Sequence, residues 1–354
     1  MTTKINKKKG GFQSRKTPDA ELHLYPFVSI CTPTFNRRPF FPIIKECFLR
    51  QTYPQDRMEW IIIDDGSDPI DDLCEDIRNI KYYRFDEKMT LGKKRNLMHA
   101  KSRGDILIYF DDDDYYPPRR VSHAVEMLQQ NKSALCAGSS EMYIFFKHIM
   151  KMYKFGPYGP NHATAATFAF RRELLQQTSY EETACLAEEK AFLKNYTIPF
   201  VQLDPLQTIL VFSHVQNSFD KKLLLESSNA FVNLSNWKVE DFVSSERAKK
   251  FFMQDIDVLL SAYRAGDVAN KPDVLTQLEE MKAKREKQQL DMKTSMDKKL
   301  SEMCGLEVAG MYERKLSEAN VRIHQLLREN QEIKNQMHRH INLQNQSQNQ
   351  SFGK

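Results

Sequence analysis

Three apolar runs of strand length, 27–31 (FVSIC), 60–64 (WIIID) and 106–110 (ILIYF), alternate with segments whose apolar residues recur at helical spacing. Between the first two runs, Phe40, Ile43, Ile44, Cys47 and Phe48 mark one face of a helix over 39–51. A further strand is predicted over 81–85, and helices over 93–102 and 118–130. Continuous apolar runs of this kind are strands buried on both faces, so the pattern predicts an α/β fold with a mostly parallel, Rossmann-like central sheet flanked by helices. Residues 134–215 are mixed, with strands near 142–146 and 209–212 and a helix around 188–194. That stretch predicts a second half with different wiring.

From about residue 221 strand signals vanish, and between Gly266 and Gly305 there is no glycine and only Pro272. This predicts a helical extension. Within it Leu316, Ile323, Asn330 and Met337 occupy one heptad position, and Ala319, Leu326, Ile333 and His340 alternate with them. Such a seam suits a two-stranded coiled coil, in which a polar Asn330 would fix register, and hence a homodimer; a helix packed on the main domain is the alternative. The expected organisation is a basic flexible tail over 1–25, a main domain over 26–220 (halves 26–130 and 131–220), a helical linker over 221–268, a long helix or coiled coil over 269–341, and a Gln/Asn/Ser-rich disordered tail over 342–354.

At 354 residues, 41% hydrophobic and 28% charged, the chain has room for one large domain with an appendage and enough apolar mass for a core. Its net charge of +5 resides in the first sixteen residues, which carry Lys4, Lys7, Lys8, Lys9, Arg15 and Lys16 and no acid. The fold itself therefore lacks the basic face of a nucleic-acid-binding protein. No apolar stretch is long enough to span a bilayer, and the charged N-terminus is not followed by a signal-peptide core, which predicts a cytoplasmic protein. Six cysteines, including Cys304, are widely spaced without a CxxC pair, and are expected as reduced thiols rather than zinc ligands or disulfides.

In an open parallel sheet ligands bind beyond the carboxyl ends of the strands. Here the first strand runs into Thr32-Pro33-Thr34-Phe35-Asn36-Arg37, the second into Asp64-Asp65-Gly66-Ser67, and the 106–110 strand into Asp111-Asp112-Asp113-Asp114. Four consecutive carboxylates after a buried strand raise one another's pKa, and a divalent cation is their natural partner. Held there, Mn²⁺ or Mg²⁺ can grip a diphosphate on its other side. Either motif alone also reads as an acidic turn, and Asp65-Gly66 is an ordinary turn signal. Three such ends on one edge point to a site.

These residues resemble glycosyltransferase family 2, with the GT-A nucleotide-sugar fold. The resemblance is carried by VSICTPTFNRR (28–38), WIIIDDGS (60–67) and GKKRN followed by AKSRGDILIYFDDDDYYPPRRV (92–121). It is specific over 27–125, looser to about 220 and absent beyond; proteins of this kind also occur in large DNA viruses, which the chain resembles. The resemblance implies that Pro33, Thr34 and Phe35 line a base pocket, with Asn36 and Arg37 beside the donor, and that Asp65 accepts a hydrogen bond from the base. Arg95 would lie near the nucleotide or its phosphates. Asp111 and Asp113 match the family's D-x-D pair, Asp113 as metal ligand and Asp111 or Asp112 toward the ribose, with the register of the run open by one. The family's Glu-Asp pair corresponds to Glu188-Glu189, a departure that lengthens the second side chain; Glu189 is the expected base, then Glu188, with a solvated acidic helix start as the plainer reading. His214, in VFSHVQNS, falls where the family often holds its metal.

The function implied is a non-processive, metal-dependent inverting transfer of a sugar from a nucleoside-diphosphate donor, UDP foremost, to a hydroxyl on a carbohydrate or glycoprotein. The rival is a non-catalytic interaction platform with a degenerate domain and an oligomerising tail. A processive synthase, an EF-hand and a phosphate-loop ATPase are disfavoured by the absence of QxxRW, of the EF-hand glycine and glutamate, and of GxxxxGK[ST].

Overall fold

The computed structural model describes residues 25–185, 189–226, 229–302 and 306–351, the segments 297–302, 306–309 and 338–351 by backbone alone. The basic tail up to residue 24, Glu188 and Cys304 lie outside the described residues. The chain forms two compact units, one ending at Glu280 and one beginning at Met281.

The first unit contains eleven strands among its described residues: β1 (Val28–Thr34), β2 (Met58–Asp64), β3 (Ile80–Arg84), β4 (Ile106–Tyr109), β5 (Cys136–Gly138), β6 (Met142–Phe146), β7 (Lys151–Phe155), β8 (Ala169–Arg171), β9 (Phe200–Gln202), β10 (Val211–Ser213) and β11 (Val232–Leu234). Seven make one sheet in the order β3-β2-β1-β4-β8-β5-β9. β3, β2, β1 and β4 are parallel, β8 runs antiparallel to both its neighbours, and β9 is parallel to β5. A smaller sheet, β10-β6-β7-β11, pairs β10 parallel to β6 and is otherwise antiparallel. The expected mostly parallel α/β sheet is present.

Alternation along the strands explains why both faces are covered. Val28, Ile30, Trp60, Ile62, Ile106 and Ile108 point into one apolar cluster, and Cys31, Ile61, Ile63, Leu107 and Tyr109 into another. On the first face the Trp60 indole stacks on Phe41 and Phe48, ring centroids 5.5 and 4.8 Å away, from helix Phe41–Leu49. On the second, Met98 of helix Leu91–Lys101 packs against the sheet. Each such large side chain contributes about 1.5–3 kcal/mol on burial. The register Val28↔Met58 and Val28↔Ile106 brings the carboxyl ends of β1, β2 and β4 to one edge.

Beyond residue 220 the structure corrects the expectation that strands cease: β11 pairs with β7. Three residues, Val-Asn-Leu, are too few to show a period. Short helices follow (Val239–Phe242, Glu246–Lys250, Ile256–Ala262), and Phe252 stacks on Phe212 with ring centroids 3.8 Å apart, so this segment belongs to the first unit's core.

The second unit holds the later part of helix Pro272–Glu302 and helix Leu306–Ser351. Leu316, Leu326, Ile323, Ile333 and Met337 are exposed in this single chain. No helix among the described residues is long and apolar enough to cross a membrane. Cys31, Cys47, Cys74, Cys136 and Cys185 are buried and unbridged, as expected for reduced thiols.

Candidate active site

Just past the end of β1 the chain turns on Asn36, whose φ of 52° lies in the left-handed region that asparagine tolerates. Its Oδ1 accepts from the Asp68 amide (3.0 Å) and the Ser67 hydroxyl (3.3 Å), and its Nδ2 donates to the Ala265 carbonyl (2.9 Å). A Cβ at Gly66 would stand 2.6 Å from the Asn36 nitrogen, so only glycine fits there. Asn36 is thus the staple of the turn, fully engaged away from the cleft.

Arg37, 4% exposed, turns inward beneath the aspartates. Its guanidinium lies 3.6 Å from both Asp112 Oδ1 and Asp113 Oδ2, and it donates to the carbonyls of Gln216 (2.7 Å) and Gly266 (3.3 Å). Asp113 Oδ2 also faces His214 Nε2 at 3.2 Å, from the residue just after β10. Burial opposes ionisation of Asp113, but the hydrogen bond with His214 and the charge of Arg37 hold its carboxyl well below the usual range. Burial pushes Asp112 up to about 6, with Asp113 adding and Arg37 opposing. His214 is pushed down to about 4, chiefly by burial, and is a neutral imidazole at neutral pH. Asp114 is different: its Oδ1 accepts from the Phe212 amide (3.3 Å), and burial together with Asp113 raises its carboxyl far above the ordinary value. It ties the acidic loop to β10.

Above these groups lies a cleft of about 150 Å³, open at its mouth, and Pro33, Thr34, Phe35, Arg37, Arg95 and Asp111–Asp113 are on its walls. Arg95 Nη2 is 3.9 Å from Asp111 Oδ1, and its guanidinium rests over the rings of Tyr109 and Tyr180. Three ammonium groups surround the Phe35 ring: Lys88, Lys94 and Lys271, 5.2, 5.6 and 6.0 Å from its centroid. Lys94 Nζ donates to Asp65 Oδ1 (2.5 Å) and to the Thr34 carbonyl (3.0 Å), while Asp65 Oδ2 accepts from the Met89 amide (2.5 Å). Lys88 pairs with Asp273.

Of the residues expected at the site, the structure brings Pro33, Thr34, Phe35, Arg37, Arg95, Asp111, Asp112 and Asp113 to one cleft and sets His214 behind Asp113. Asn36 and Asp65 stand outside the cleft lining, the Asp65 side chain wholly buried behind Lys94. Glu189 opens the helix Glu189–Phe192, four residues beyond the cleft-lining Cys185, and is not itself on the walls.

Sequence reasoning missed Lys88, Lys94, Cys185, Ser218, Lys271 and Asp273, all of which line the cleft. Lys94 stands inside the GKKRN motif, where its neighbour Arg95 drew the attention. The signal for the last pair was Lys271-Pro272-Asp273, a proline at a first helical turn, which marks a helix start but not its location.

Residues 29–192 match the model of the family described as glycosyl transferase family 2. Among curated proteins, an uncharacterized glycosyltransferase of Haemophilus influenzae is 28% identical over 105 residues, 29% of this chain and 35% of its own. The poly(ribitol-phosphate) beta-N-acetylglucosaminyltransferase TarS of Staphylococcus aureus is 24% identical over 110 residues, 30% of this chain and 19% of its own. The chain thus spans about a third or less of the length of these relatives. Among solved structures, S. aureus TarS 1-349 in complex with UDP-GlcNAc aligns at a TM-score of 0.43 and 17% identity, covering 53% of this chain and 58% of that one. The mannosyltransferase PcManGT of Pyrobaculum calidifontis, in complex with GDP-Man and Mn²⁺, aligns at 0.43 and 13%, covering 73% and 75%.

Proposed function

We propose that this chain, whose residues 29–192 match the model of glycosyl transferase family 2, transfers a sugar from a nucleoside-diphosphate donor to a hydroxyl acceptor, with inversion and with the help of a divalent cation. The observation that carries the reading is the convergence of Arg37, Asp113 and His214, from the ends of three strands, beneath a cleft lined by five cationic side chains. Cations in a partly closed cleft are what a diphosphate requires. The cleft has room for the charged end of such a donor rather than the whole of it, below the roughly 300 Å³ at which ligand pockets begin.

The donor set fits the proposed cation. A carboxylate oxygen and a neutral imidazole nitrogen converge at Asp113 and His214, a combination suited to Mn²⁺. Among the described residues no three His, Cys, Asp or Glu side chains cluster as a metal cage. Asp113 and His214 would hold the cation, Asp111 or Asp112 would face the ribose, and the remaining positions would go to phosphate oxygens and water. When bound, the cation supplies charge stabilisation to the departing diphosphate.

Arg37 fixes the aspartates, and Phe35 with Pro33 and Thr34 forms a wall for the base. Glu189 takes the proton from the acceptor hydroxyl as the sugar bond forms on the face opposite the leaving diphosphate. The second unit's exposed apolar seam serves as a pairing surface for another copy of the chain.

The test is donor-dependent release of nucleoside diphosphate from UDP-, GDP- and dTDP-sugars with Mn²⁺. Release from one nucleotide class, accelerated by a carbohydrate acceptor, is expected. Folded protein that neither binds nor turns over any of them overturns the proposal.

A further inference from the structure

The cations of the cleft are not equivalent. Arg37 lies by Asp112 and Asp113, Lys88 by Asp273, Lys94 by Asp65 and Arg95 by Asp111, each within 4 Å of a carboxylate. Lys271 is the exception. It is 7% exposed, lines the cleft, and hydrogen-bonds the Ser218 hydroxyl at 2.9 Å, with no carboxylate at ion-pair distance among the described residues. A buried ammonium facing a cavity without its own counter-ion is costly, and an anion entering that cavity removes the cost.

The segment that carries Lys271 is built into the first unit. Gln216 Nε2 donates to the Tyr263 carbonyl (2.6 Å), Asn36 Nδ2 to that of Ala265 (2.9 Å) and Arg37 Nη1 to that of Gly266 (3.3 Å). Past Lys271, Asp273 pairs with Lys88, and the Cys185 amide donates to Gln277 Oε1 (2.8 Å). Lys271 is therefore anchored on both sides and fixed against the Phe35 wall of the cleft.

We infer that Lys271, with Ser218 orienting its ammonium, is a diphosphate-binding residue supplied to the donor cleft from outside the family-matched domain. Both residues lie beyond residue 192, where the family match ends. The inference rests on the donor reading above and specifies which group of the donor meets this part of the cleft. Burial, with Arg37 adding, pushes the Lys271 amine down to about 7, so at or below that pH it carries its positive charge to the anion independently of any divalent cation, and part of the affinity for a diphosphate persists when the metal is chelated.

The experiment titrates the full chain with UDP, uridine and inorganic pyrophosphate, with Mn²⁺ and with chelator, in wild type, Lys271→Met and Lys271→Arg. The expected result is a loss of about tenfold or more in UDP and pyrophosphate affinity in Lys271→Met, unchanged uridine binding, and substantial recovery in Lys271→Arg. Equal losses for uridine and UDP would mean that Lys271 only positions its segment, and unchanged UDP affinity would mean no contact at all; either overturns the inference. Wild type that binds pyrophosphate but no nucleotide refutes the donor reading while leaving the anion site standing. Wild type silent to every probe refutes both.

Discussion

The Lys94–Asp65 pair offers a quantitative test of how the cleft is supported. Asp65 is wholly buried and Lys94 nearly so, and the two touch at 2.5 Å. Replacing Lys94 by Met keeps the bulk of the side chain but leaves the Asp65 carboxylate in the interior with the Met89 amide as its remaining hydrogen-bond donor. Breaking one partner of a buried pair costs about 3–5 kcal/mol, because an uncompensated charge remains. For a unit of this size each kcal/mol lowers the melting temperature by about 2–4 °C, so Lys94→Met should melt about 10 °C lower. Adding Asp65→Asn removes the stranded charge, and its amide oxygen can still accept from Met89. The double variant should therefore recover most of the loss, with a coupling energy of about 2 kcal/mol in a double-mutant cycle. Urea denaturation of the four proteins, read at constant slope, gives the cycle directly. Losses that simply add would refute the claim that these two charges exist for each other.

Glu189→Gln should lower turnover by about 10²–10⁴-fold while leaving the dissociation constant for nucleoside diphosphate unchanged, as calorimetry beside a rate assay would show; a weakened nucleotide affinity would place Glu189 in donor binding instead. Truncation after Glu280 should leave nucleotide binding intact and give a monomer by sedimentation, whereas truncation before Lys271 removes part of the cleft wall and should weaken binding. Burial, with Arg95 and Arg172 adding, pushes His99 down to about 3, so between that value and the ordinary 6.5 the unfolded chain binds the extra proton. The contribution of His99 is complete above about pH 6.5 and falls by about 1.4 kcal/mol per pH unit below it; thermal unfolding across pH 7 to 5 should show the decline, and His99→Gln should make it shallower, leaving the parallel share of His214.

The half of the fold that was legible is the half with long apolar strands. β1, β2 and β4 are covered on both faces, so their residues announce themselves without reference to neighbours. β5, β8, β9 and β11 have three residues each, too short for periodicity, and their pairings are set by tertiary contacts. The Asp113–His214 approach was legible only through resemblance, since 101 residues separate the two. Arg37 is expected beside the donor through the same resemblance. Its burial beneath Asp112 and Asp113 follows from the Asn36 turn and the carbonyls of Gln216 and Gly266, which no local pattern encodes. Lys271 was hidden for the same reason: it reaches the cleft through the folding of residues 263–277 onto β1's turn.

The central claim is that Asp113 and its neighbours hold a nucleoside diphosphate through a divalent cation. The most direct test is calorimetric titration of wild type and Asp113→Ala with UDP, GDP and dTDP, with Mn²⁺ and with chelator, alongside thermal stability. Wild type should bind one nucleotide more tightly with Mn²⁺ and gain about 2.7 kcal/mol of stability at 100 times the dissociation constant, and Asp113→Ala should lose the Mn²⁺-dependent part of that binding. Nucleotide binding unaffected by Mn²⁺, or equally metal-dependent in Asp113→Ala, would contradict the account; silence of folded wild type toward every nucleotide would favour the non-catalytic platform.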